Sequence, residues 1–101
     1  MLNKIKVLNL ISERSKLGPN DPQVETYWAE LANLLGENEE QTIEFLMNCN
    51  KADIRWISEV FEDISYKLQS TKLIDCLKML DKKFPELKLA WFVKGAEEVL
   101  L

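Results

Sequence analysis

With 101 residues, of which 47% are hydrophobic and 30% charged, the chain has the size and balance of one folded domain over residues 1–101, and this composition excludes disorder. The net charge of −4 is uneven: residues 1–20 sum to +3, residues 21–63 hold eleven acids against Lys51 and Arg55, and residues 64–101 return to +2. An acidic middle repels nucleic acid, whose phosphates demand Lys and Arg, and attracts basic protein surfaces.

In chain order, residues 2–16 predict a helix with a wide apolar face of Ile5, Val7, Leu8, Leu10 and Ile11. Gly18-Pro19 stops it, and Asp21-Pro22 starts the next helix, with Asp as N-cap and Pro at the first helical position. Val24, Tyr27, Trp28, Leu31, Leu34 and Leu35 then share one helical face, which Gly36 closes. Asn38-Glu39-Glu40-Gln41 reads as a capping box for a third helix, whose inward face is Ile43, Leu46 and Met47, widened by Phe45 and Cys49. Asn50 caps a fourth helix in which Ile54, Ile57, Phe61, Ile64 and Leu68 alternate steps of three and four. Ser70 or Thr71 opens a fifth, with Leu73, Ile74, Leu77, Leu80 and Phe84, and Phe84-Pro85 ends it. The sixth, over about residues 87–100, presents Leu89, Phe92, Val93, Ala96, Val99 and Leu100. No stretch alternates with period two for long enough to claim a strand. The expected fold is all-α, with five or six short helices in a compact bundle or in stacked hairpins of the HEAT-like kind.

Nothing in the sequence announces catalysis. The chain has no His, its glycines stand alone at 18, 36 and 95, and no phosphate-binding or nucleophile-elbow motif occurs. Adjacent acids at Glu39/Glu40, Glu62/Asp63 and Glu97/Glu98 read as solvated helix faces. No enzyme, metal or cofactor is expected. Cys49 and Cys76 read as partly buried free thiols, with a disulfide between them left open. No apolar run approaches the roughly 20 residues of a membrane span, and no signal-peptide pattern is present, so no membrane partner and a cytoplasmic location are expected.

The informative surface is the outer face of the fourth helix. Opposite the Ile54–Leu68 stripe, a helical wheel gathers Arg55, Ser58, Glu59, Glu62, Ser65 and Tyr66, with Asp63 further round. Arg55 and Glu59 stand four residues apart and are expected to pair. Tyr66 reads either as an interface anchor among carboxylates or as packing against a neighbouring helix end. Trp91 lies off the apolar stripe of the last helix. Gly95, one turn on, costs about 1 kcal/mol of helix propensity and leaves room for Trp91 to lie flat or for a partner to approach. The preferred reading has Trp91 covering the first helix. Trp28 is assigned to the core and Trp56 to its edge.

The run Trp56-Ile57-Ser58-Glu59-Val60-Phe61-Glu62-Asp63-Ile64-Ser65, followed by Lys67-Leu68-Gln69-Ser70, resembles small helical immunity proteins of secreted polymorphic toxin systems in Firmicutes. The likeness spans about residues 15–87. It implies a cytoplasmic, non-catalytic inhibitor that neutralises a cognate toxin with a basic surface. Glu59, Glu62, Asp63, Tyr66 and Arg55, helped by Glu39, Glu40 and Glu44, are then the expected contact face. The alternative expectation is a helical adaptor or oligomerisation module without a toxin partner. The oligomeric state is expected to be a monomer or a weak homodimer.

Overall fold

The computed structural model describes residues 1–101 and contains helices only. Helix α1 (Lys4–Ser15) is capped by Asn3, whose side chain accepts from the Lys6 amide. Helix α2 (Gln23–Leu35) begins one residue later than Asp21-Pro22 implies. Asp21 still performs the capping chemistry, because its carboxylate accepts the Gln23 amide at 2.9 Å. Helix α3 (Glu39–Met47) and helix α4 (Lys51–Ile57) carry the expected caps, with Asn38 taking the Gln41 amide and Asn50 the Asp53 amide. The reciprocal half of the capping box is not made. The Gln41 side chain instead accepts the Leu2 amide at 2.6 Å and ties the start of the chain to α3.

The fourth helix of the sequence reading is two helices. A 3₁₀ turn at Ser58–Val60 separates α4 from α5 (Phe61–Leu68). The cause is local: the Ser58 hydroxyl donates to the Arg55 carbonyl at 2.6 Å, competing with the backbone ladder. Gln69 ends α5 in the left-handed conformation, and Ser70 opens α6 (Thr71–Lys83) by accepting the Leu73 amide at 3.0 Å. Phe84-Pro85 stops α6 as expected. A second 3₁₀ turn, Pro85–Leu87, leads into α7 (Ala90–Glu98).

The helices pack as a bundle and not as stacked sequential hairpins, since α1 lies against α4 as well as α2, α3 against α6, and α2 against α5. The most extensive packing is α5 along α7. There the buried Ser65 hydroxyl donates to the Ala96 carbonyl at 2.6 Å, joining helices 31 residues apart. The molecule measures 31 × 31 × 25 Å.

One core of 21 buried residues runs through all seven helices; of the expected seam, Ile54, Ile57, Phe61 and Ile64 lie inside it and Leu68 packs against it partly buried. The first helix buries less than its composition suggests. Val7, Leu10 and Ile11 are inside, but Ile5 is 75% exposed and Leu8 is also exposed. Both cysteines are free and buried. Burial pushes the Cys49 thiol up to about 12, with Asp53 and Cys76 adding to the rise and Lys83 opposing it; burial pushes Cys76 up to about 11. No helix is long and apolar enough to cross a membrane.

Candidate functional site

The site begins with an arginine that should be unwelcome where it lies. Arg14 sits on the inward face of α1 and is only 4% exposed. It meets Glu59 in a fork, Nε to Oε1 and Nη2 to Oε2, both at 2.8 Å, and its Nη1 reaches the Leu17 carbonyl at 3.2 Å. Its guanidinium carbon also stands 4.9 Å from the Trp56 ring centroid and 6.0 Å from that of Trp28. Trp28 completes the knot by donating its indole N–H to Glu59 Oε1 at 2.9 Å. A buried charge survives only when paired and hydrogen-bonded, and each polar group here has a partner.

This knot corrects the expected acidic face. Glu59 does not pair with Arg55, and it is not part of an open ridge, because α1 and α2 both claim it. Arg55 stacks over Trp56 at 4.4 Å instead. Ser58 and Ser65, which the helical wheel put outside, are buried. Glu40 and Glu44 on α3 do not join the others. Glu44 lines a separate groove with Lys4, Leu8 and Asn48, and that groove shares no residue with those beside α5. Trp28 is half-buried, its indole N–H spent on Glu59.

What remains outside is shorter and better defined. Glu62, Asp63 and Tyr66 form the crest of α5, and Tyr66 is 61% exposed. A groove flanks the crest on each side. Toward α2, a groove of about 380 Å³ is lined by Asp63 and Tyr66 on one bank and by Glu25, Trp28, Ala29 and Ala32 on the other. Toward α7, a groove of about 340 Å³ is lined by Ser58, Glu59 and Glu62 on one bank and by Trp91, Gly95 and Glu98 on the other, with Phe92 and Lys94 beside them.

Trp91 is the largest surprise. It does not cover α1; it is 77% exposed and meets Phe92 edge-on, with ring centroids 5.2 Å apart. The sequence signal was the pairing of an off-stripe tryptophan with a glycine one turn later. Glu98 was read only as part of a solvated acidic face and Lys94 was given no role, because nothing in the spacing brings α7 beside α5. No group of three or more Cys, Asp or Glu is placed to hold a metal ion.

Comparison with known proteins finds no matching family model, no matching curated protein and no matching solved structure. The functional reading therefore rests on the crest, its two grooves and the residues that shape them.

Proposed function

We propose that the chain is a non-catalytic protein-binding inhibitor of the immunity-protein kind, which neutralises a toxin through the crest of α5. The observation that carries the reading is the pair of exposed aromatics, Tyr66 on the crest and Trp91 across the groove, with Glu62 and Asp63 beside them. Aromatic anchors supply contact area at low entropic cost, and flanking carboxylates steer a basic partner into place. A helix standing between two grooves suits a partner with a cleft, because the crest enters the cleft while its rims settle into the grooves. Glu62, Asp63, Tyr66 and Trp91 are the contact residues on this reading. Glu59 holds the scaffold, Arg55 lies over Trp56, and Glu40 and Glu44 lie off the contact.

The test is a growth assay in which a toxin encoded beside this gene is expressed with the wild-type chain or with the double variant Glu62→Lys/Tyr66→Ala. The wild type restores growth, and the double variant binds at least about tenfold more weakly, a loss near 1.4 kcal/mol. A neighbouring product that is harmless, or one bound equally well by both chains, would falsify the proposal.

One observation favours a second reading, that of an adaptor or oligomerisation module. Ile5 and Leu8, three residues apart on α1, are exposed on one side of that helix, and Met1 just before it is exposed too. Light scattering separates the two: a stable homodimer that Ile5→Lys/Leu8→Lys dissolves supports the second.

A further inference from the structure

We infer that the groove between α5 and α7 receives one arginine side chain of the partner, its guanidinium stacked on Trp91 and held by Glu62 and Glu98. This rests on the reading of the chain as a binder of basic protein surfaces and specifies its chemistry at one place.

Three observations carry it. The first is Gly95. A glycine inside a helix is destabilising relative to alanine, so its presence calls for a reason. Packing gives none, because a Cβ there would meet only Glu62, at 3.8 Å, an ordinary contact. Gly36 shows the contrast: a Cβ there would stand 2.6 Å from Lys67 and 2.7 Å from the Ala32 carbonyl. Gly36 is demanded by its neighbours, whereas Gly95 serves to keep the groove open.

The second observation is the donor set. Trp91 offers an exposed aromatic surface, and neither Glu62 nor Glu98 forms an ion pair within the chain. Both carboxylates line the same groove as Trp91. The groove's own cation, Lys94, is also unpaired and exposed, so an entering charge displaces it toward solvent.

The third is that this chain already contains the arrangement with its arginine in place. Arg14 is gripped in a fork by Glu59 and stacked against Trp56 and Trp28. Glu59 also lines the open groove. Trp91, Glu62 and Glu98 present the same two chemistries, an aromatic surface and carboxylates, around a groove whose own cation is the lysine Lys94 and not an arginine. A planar guanidinium satisfies both at once, and an ammonium does so less well.

The experiment follows the Trp91 indole N–H by two-dimensional NMR, assigned through its loss in Trp91→Ala. The probe is the capped tripeptide Gly-Arg-Gly, with Gly-citrulline-Gly as its neutral match. The arginine peptide saturates the Trp91 signal in the millimolar range, and citrulline binds about fivefold or more weakly. Gly95→Leu keeps or raises the melting temperature, since leucine is the better helix former and its Cβ is accommodated, yet it loses the arginine response. Lys94→Ala strengthens binding about twofold by removing the competing cation. Equal binding of citrulline, or an unchanged response in Gly95→Leu, overturns the inference. If Glu62→Lys/Tyr66→Ala loses protection from the toxin while the arginine peptide never saturates, the inhibitor stands and the arginine groove falls. If arginine saturates the groove but no toxin is bound, the groove stands and the inhibitor falls.

Discussion

Arg14 is the one buried charged side chain of this fold, and it ties the first helix to the turn before α5. Its fork to Glu59 crosses 45 residues of sequence, and the Trp28 indole adds a second long-range bond to the same carboxylate. Removing one partner of a buried pair is far more costly than the pair is worth, because the other charge stays behind unpaired. Arg14→Met is therefore expected to cost about 3 kcal/mol in urea unfolding, the low end for a buried pair because Glu59 keeps some solvent contact. Adding Glu59→Gln to that variant recovers a good part of the loss, since the amide oxygen still accepts the Trp28 N–H and no bare charge remains. Additive losses would show that the two residues do not act together. None of this knot was legible in the sequence. An arginine on the inward face of a helix looks like an interruption of the apolar pattern, and the partner that explains it lies three helices away. Glu59 was misassigned for the same reason: the i,i+4 rule offers Arg55, but Arg55 is held at Trp56 while Arg14 and Trp28 reach Glu59 from elsewhere.

Helix positions were more legible than helix pairings. The caps at Asn38 and Asn50 were readable, and the next one to within Ser70 or Thr71, because capping is local chemistry within four residues. The break between α4 and α5 was not, because its apolar spacing continues through Ser58–Val60 as though the helix did. Pattern records which side faces the core; it does not record a hydroxyl that takes a backbone carbonyl. Among the caps, Ser70 has the most at stake. Its hydroxyl is the only side-chain cap of the seven helices that lies buried, at the corner where α5 gives way to α6. Ser70→Ala leaves the Leu73 amide without a partner or water, so the expected cost is about 2 kcal/mol, the upper end for a cap. Asn38→Ala, at an exposed cap, is expected to cost about 1 kcal/mol in the same titration. Equal losses at the two positions would mean that burial of the cap does not matter here.

At the scale of the whole molecule, charge stays outside except at the Arg14–Glu59 pair, while both thiols go in, and their burial has a consequence in alkali. Cys49, just beyond α3, and Cys76, on α6, are free and packed in the single core, where a thiolate would stand with little solvent. Burial raises both thiols from an ordinary value of 9.0, Cys49 to about 12 and Cys76 to about 11. Below pH 9 the folded and unfolded chains both hold these two protons, so the thiols contribute no pH dependence. Above pH 9 the unfolded chain releases them and the folded chain does not, so stability falls as pH rises, until the folded thiols themselves ionise. Each thiol contributes a slope of about 1.4 kcal/mol per pH unit in that window. Between pH 8 and pH 10 the pair should remove roughly 2 to 3 kcal/mol of stability. The comparison is with Cys49→Ala/Cys76→Ala, which keeps every other ionisable side chain. Urea midpoints measured at both pH values should fall more steeply for the wild type than for the double variant, even though the variant starts lower because of its two small cavities. Native thiols should also react slowly with a disulfide reagent at neutral pH and quickly once the chain is unfolded. Parallel pH slopes in the two chains, with fast native labelling, would mean that water reaches the core beside α3 and α6.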